Sequence, residues 1–134
     1  MKKLITILFC FVLLTGLASI NSCKKDNSHY EGQIVFWYDQ TASAGLIADG
    51  ATALTFYLST QVVGSTATSL YWATAPSCGL NGSVTVKEDL GNAKTHAYSL
   101  SVKDQTGFEY WTETVNVDAN TCTQFQLVWS KKKK

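Results

Sequence analysis

Few residues in this chain could carry out hydrolysis. Histidine occurs only twice, as His29 and His96, and a serine or cysteine nucleophile needs a histidine that a third group holds in place. His29 lies in a short polar stretch that cannot hold a rigid site, and His96 begins a predicted strand. No G-x-S-x-G motif is present. The sequence therefore predicts a protein without catalytic residues. The alternative to a non-catalytic protein is a small hydrolase that acts on envelope or extracellular glycans or esters.

Metal ligands are equally sparse in the sequence. The motifs H-E-x-x-H, C-x-x-C and D-x-D-x-D-G, which bring zinc or calcium ligands together, are all absent. Glu109 and Glu113 could form a carboxylate pair for glycoside hydrolysis, but two carboxylates at this spacing on a strand are typical of a solvated face. We expect no metal and no cofactor.

The distribution of charge along the chain argues against highly charged anionic partners. The formal net charge is +1, but most lysines lie at the two ends of the chain. Between Tyr30 and Ser130 there are three lysines and nine acidic residues, a net charge of −6, and the chain contains no arginine. An acidic body without a guanidinium group argues against nucleic acid and against phosphate-rich ligands.

The N-terminus has the pattern of an export signal. Two lysines precede an apolar or small run of 14 residues, Leu4–Leu17, which is shorter than the roughly 20 residues that span a membrane. The following Ile-Asn-Ser-Cys, which ends at Cys23, resembles the lipobox of bacterial lipoproteins. That resemblance implies a signal peptide over residues 1–22 and a diacylglyceryl group on Cys23, with residues 23–30 as a polar tether. An ordinary signal peptide with an incidental cysteine is the alternative.

Two further cysteines are left for the mature chain. Cys10 lies in the apolar run and Cys23 is the lipidation site, so Cys78 and Cys122 remain. Thiols of exported proteins tend to be oxidised, and we expect a Cys78–Cys122 disulfide worth about 4 kcal/mol at most. Two buried free thiols are the alternative.

The elements that must position these residues are strands. After Cys23 no apolar stretch keeps a 3.6-residue period, whereas alternation with a period of two recurs. The predicted inward series are Ile34, Phe36 and Tyr38; Leu54, Phe56 and Leu58; Val84 and Val86; Tyr98, Leu100 and Val102; Trp111, Val115 and Val117; Phe125, Leu127 and Trp129. Val62–Val63 and Leu70–Trp72 are weaker candidates. Glu113 falls on an apolar face, which a β-bulge, an edge strand or a solvent-exposed rim of the sheet would explain.

Strands at this spacing predict one all-β domain over residues 31–130, followed by a basic tail at 131–134. About seven short strands favour an antiparallel β-sandwich, immunoglobulin-like or transthyretin-like. A closed barrel is the alternative fold.

Aromatic residues are abundant, with four Trp and six Tyr. Most belong to the predicted core, but Trp37 and Tyr57 lie in opposite phase to the inward series of their strands. If both face solvent, they could stack on a sugar ring or contact a protein partner. If both faces of that sheet are covered, they are packing residues.

The C-terminal half resembles a recurrent group of small outer-membrane lipoproteins from Bacteroidota-type bacteria. The resemblance rests on a Cys-Gly turn, a G-S-V-T-V strand, a Y-S-L-S-V strand, a D-x-x-G turn, a strand that starts near Trp, and a late Cys with alternating apolar residues. Here these are Cys78–Gly79, Gly82–Val86, Tyr98–Val102, Asp104 with Gly107, Trp111, and Cys122–Leu127. It implies a sandwich domain anchored in the outer membrane, on either face, and no assigned activity.

The sequence thus predicts a membrane-anchored, non-catalytic lipoprotein of the cell envelope. We expect it to serve as a binding or structural module with a protein or glycan partner. The lipid anchor itself would contact the membrane.

Overall fold

The structure is a computed structural model that describes residues 28–131. The predicted signal peptide and Cys23 lie outside the described residues. Seven strands and one helix follow one another along the chain: β1 (Tyr30–Trp37), α1 (Gln40–Ala48), β2 (Ala53–Leu58), β3 (Gln61–Ala67), β4 (Val84–Gly91), β5 (Thr95–Asp104), β6 (Glu109–Asp118) and β7 (Cys122–Gln126).

The strands form two sheets packed as a sandwich, which confirms the predicted fold class. One sheet has three strands in the order β4-β1-β7, and the other has four in the order β3-β2-β5-β6. Neighbouring strands are antiparallel except β1 and β7, which run parallel. The two sheets are separate in residues 28–131, so the domain is a sandwich and not a closed barrel.

The core lies between the sheets and is built from the inward series that the alternation predicts. Phe36 of β1 stacks on Phe56 of β2 with ring centroids 5.4 Å apart, and Phe125 of β7 meets Phe36 edge-on at 6.2 Å. Burying a side chain of this size contributes about 1.5–3 kcal/mol. These rings therefore join the two sheets directly.

The helix α1, which connects the two sheets, was not predicted from the sequence. The Asp39 side chain accepts a hydrogen bond from the Ala42 backbone N–H (2.9 Å) and caps the first turn. At the other end Gly50 adopts a positive φ of 80°, and its N–H and that of Ala51 return to carbonyls of the last turn, which is a Schellman ending. The capping Asp39 and the terminating Gly50 are visible in the sequence, but the helix has only nine residues. This length is too short to show a repeated apolar period.

The misplaced Glu113 is explained by an edge position. Glu113 pairs with Leu100 on the inner face of β6, which is the outermost strand of its sheet. The opposing sheet has one strand fewer, so the Glu113 side chain stays exposed. A register shift does occur in β6, but at Tyr110, where it lets Tyr110 and Trp111 both be buried.

Leu70–Trp72 does not form a strand, contrary to the prediction, whereas Val62–Val63 does lie in β3. The chain after β3 crosses the outer face of the three-stranded sheet. Trp72 N–H donates to the Tyr38 carbonyl (3.0 Å), and the Gln124 side-chain amide donates to the Pro76 carbonyl (3.0 Å). This covering segment, residues 72–78, explains why Val35 is completely buried although it points away from the core.

The covering segment ends in the predicted disulfide, which is confirmed. Cys78 is bonded to Cys122, with an S–S distance of 2.07 Å and Cα atoms 5.8 Å apart. Cys122 is the first residue of β7, so the bond fastens the covering segment to the outer face of the sheet.

Candidate binding groove

The structure does not bring Trp37 and Tyr57 together. Trp37 belongs to β1 and Tyr57 to β2, and both side chains point away from the core between the sheets. The outer faces of two stacked sheets point in opposite directions. The two rings therefore cannot form one platform, although the predicted phase of each strand was right.

Trp37 lies on the covered side of the sandwich. Its ring is half-buried, and its Nε1 is buried without a hydrogen-bond partner among the described residues. The next residue, Tyr38, is tied to the covering segment through Trp72. Trp37 thus belongs to the packing of this layer.

Tyr57 lies in an open groove of about 340 Å³ on the outer face of the four-stranded sheet. Strand register brings the lining together: Tyr57 pairs with Ser101, which pairs with Thr112, and Lys103 pairs with Glu109. Outward alternation on β5 adds Ser99 to the same face. The groove therefore combines one aromatic ring, one ammonium group, one carboxylate and several hydroxyl groups.

The charged groups of the groove have defined positions. The Lys103 Nζ lies 5.4 Å from the centroid of the Tyr57 ring, within range of a cation–π interaction. The Glu109 carboxylate accepts hydrogen bonds from the hydroxyls of Ser101 and Thr112, both at 2.5 Å. Neighbouring side chains thus hold both charges at the groove surface.

A second cavity is less suited to a specific ligand. It has a volume of about 440 Å³ and lies beside β1 and the start of β7, where it is lined by polar groups and backbone. Its lysine, Lys87, is already paired with Glu31 at 2.7 Å. No aromatic ring contributes to its lining.

The two histidines lie outside both cavities. His29 pairs with Asp89 (3.0 Å) before the start of β1, and His96 is exposed with its ring 4.6 Å from that of Tyr98. Within residues 28–131 no group of three potential ligands is placed to hold a metal ion. The described part also contains no helix long and apolar enough to cross a membrane.

Tyr57 was predicted from the sequence as a candidate ligand-binding residue, whereas the other residues that line its groove were not. Ser99, Ser101 and Lys103 have the outward phase of β5, so the alternation already placed them on one face. What the sequence lacked was the strand order that sets β5 between β2 and β6. Comparison with protein-family models, with curated proteins and with solved structures finds no match to this chain.

Proposed function

We propose that this chain is a lipid-anchored, non-catalytic binding module of the bacterial cell envelope and that the Tyr57 groove binds a glycan. The observation that carries the proposal is the groove itself, in which an aromatic ring is surrounded by hydroxyl groups, a carboxylate and an ammonium group. Sugars offer an apolar C–H face to an aromatic ring and hydroxyl groups to polar side chains, so each part of the groove has a matching part of the ligand.

A glycan fits this surface better than a protein partner. The groove volume lies at the lower end of the range for small-molecule sites, whereas a stable protein interface buries about 800 Å² on each partner around an apolar centre. Apart from the buried Leu100, the residues that line the groove with Tyr57 are serine, threonine, lysine and glutamate. Such a border favours a polar ligand of a few sugar rings.

The groove chemistry supports binding without catalysis. Glycoside hydrolysis uses two carboxyl groups on opposite sides of the scissile bond. Glu109 is the one carboxylate among the residues that line the groove, and Ser101 and Thr112 both donate to it. The exposed His96 does not line the groove.

The lipid anchor is proposed from the lipobox-like sequence and from the resemblance to outer-membrane lipoproteins. Cys23 lies seven residues before Tyr30, where β1 begins. Seven residues reach about 25 Å at full extension, so lipidation would keep the domain close to the membrane. Incorporation of a palmitate analogue should label the wild type but not Cys23→Ala, and protease treatment of intact cells would assign the outer or periplasmic face. An unlabelled wild type would remove the anchor.

Glycan binding is tested on the full-length protein in detergent, with an oligosaccharide panel and calorimetry. We expect Tyr57→Ala to weaken binding about tenfold, which corresponds to the loss of about 1.4 kcal/mol of stacking. Tyr71→Ala is the matched control, because Tyr71 is exposed but does not line the groove. Binding that survives Tyr57→Ala unchanged would refute the site.

A further inference from the structure

We infer that the glycan bound in the Tyr57 groove is acidic, with well-separated carboxylates of the uronic acid type, and that Lys103 receives the carboxylate. This inference rests on the proposed function, because it specifies the ligand class of the same groove.

Lys103 presents its ammonium group in the groove, next to the Tyr57 ring. Its cross-strand neighbour is Glu109, and opposite charges in such a pair usually attract each other. The Glu109 carboxylate receives the hydroxyls of Ser101 and Thr112, and the Lys103 ammonium lies over the Tyr57 ring, 5.4 Å from its centroid. Lys103 also takes no part in the ion pairs that the described domain shows, Lys87–Glu31 and His29–Asp89. The groove therefore presents a positive charge at the ring on which a sugar would stack.

The surroundings of Lys103 limit the charge density of the ligand. The domain between Tyr30 and Ser130 has a net charge of −6 and the chain contains no arginine. A densely sulfated or phosphorylated chain would need several cations or guanidinium forks and would be repelled by the remaining carboxylates. One ammonium group matches one carboxylate at a time, which is the pattern of a glycan with acidic and neutral sugars in alternation or with spaced uronic acids.

The groove can accommodate such a ligand with one movement. The lysine side chain is a flexible four-carbon stem with a point charge, so its ammonium can leave the ring for the ligand carboxylate. The Tyr57 face then becomes available to the sugar ring. The Glu109 carboxylate, which accepts from Ser101 on β5 and from Thr112 on its own strand β6, can also accept a hydrogen bond from a sugar hydroxyl.

The experiment compares acidic oligosaccharides with carboxyl-reduced forms of the same chains. Full-length protein in detergent is titrated with oligosaccharides of hyaluronan and of unsulfated chondroitin, in both of which uronic acids alternate with neutral sugars, each before and after reduction of its carboxyl groups to alcohols. We expect at least one acidic form to bind about tenfold more tightly than its reduced form, and 500 mM NaCl to remove most of that preference. Lys103→Gln should bind both forms equally, whereas Lys94→Gln, which changes a lysine outside the groove, should keep the preference.

The outcomes separate this inference from the proposed function. Equal binding of acidic and reduced chains, or a preference that Lys103→Gln leaves intact, overturns the acidic ligand but retains glycan binding. Failure of every acidic and reduced chain to bind overturns both. A preference that disappears only in Lys103→Gln supports both.

Discussion

Gly45 lies inside α1, where a glycine normally destabilises a helix by about 1 kcal/mol relative to alanine. In an ordinary helix Gly45→Ala would therefore stabilise the protein. Here the position faces the indole of Trp129: a Cβ at Gly45 would lie 2.2 Å from Cε2, 2.5 Å from Cζ2 and 2.6 Å from Cδ2 of that ring. Three ring atoms inside contact distance leave no room for a methyl group, so the substitution must displace either the helix or the indole.

The expected cost follows from what Trp129 contacts. Its ring centroid lies 5.9 Å from that of Tyr110 and 6.5 Å from that of Trp111, so moving the indole disturbs both contacts. Overpacking typically costs about 1–3 kcal/mol, and three ring atoms within 2.6 Å of the new Cβ place this change in the upper part of that range, at about 2–3 kcal/mol. The gain in helix propensity offsets about 1 kcal/mol. We expect Gly45→Ala to lower the free energy of unfolding by about 1–2 kcal/mol.

A double-mutant cycle measured by urea unfolding and far-UV circular dichroism tests this reasoning. In a Trp129→Ala background the obstacle is gone, so the same Gly45→Ala change should become stabilising by up to about 1 kcal/mol. Ala44→Gly, at an exposed position of the same helix, reports the propensity difference alone. If Gly45→Ala stabilises the protein that retains Trp129, the close packing of helix and indole is refuted.

Two further stability predictions follow from particular contacts. Replacing both Cys78 and Cys122 by serine should lower the free energy of unfolding by about 2–4 kcal/mol; urea unfolding with and without reductant measures this, and a wild type that reductant leaves unchanged would contradict it. Burial raises the pKa of Tyr38 to about 12, above the value of about 10 in an unfolded chain, so the associated stability is fully present below pH 10 and is lost as the pH rises towards 12. Tyr38→Phe removes the hydrogen bond to the Ala67 carbonyl and should lower the free energy of unfolding at pH 7 by about 1 kcal/mol. The free energy of unfolding of this variant should also fall less steeply than that of the wild type as the pH rises above 10. In Tyr71→Phe, which changes an exposed tyrosine, it should fall as in the wild type. An alkaline decline unchanged in Tyr38→Phe would rule out this origin.

The alternation of apolar residues was sufficient to predict which side chains face the core but not the groove. Ile34, Phe36, Leu54 and Phe56 point inward as their period of two requires, because a strand with one buried face must alternate. The groove depends on β5 lying between β2 and β6, and periodicity contains no information on strand order. The outward phase of Trp37 was likewise predictable, whereas the segment that covers its sheet was not.

The helix was missed for a different physical reason. A helix of nine residues is too short to be stable by itself, so its formation depends on packing. The decisive contact, Gly45 against Trp129, joins residues far apart in the sequence. Asp39 and Gly50 define the two ends of α1 locally, whereas the helix between them is held by a contact that is distant in the sequence.

The position of β1 has a consequence for the order of folding. The four-stranded sheet includes two local hairpins, β2–β3 and β5–β6, whereas β1 has partners only in β4 and β7, which begin at Val84 and Cys122. Long-range pairings of this kind form slowly. The apolar run at Ile34–Phe36, although it lies in the first strand of the domain, is therefore covered last. A chain that stops before β7 would leave one edge of β1 open to other chains. Arrival of the final strand is therefore the step that turns an aggregation-prone chain into a closed domain.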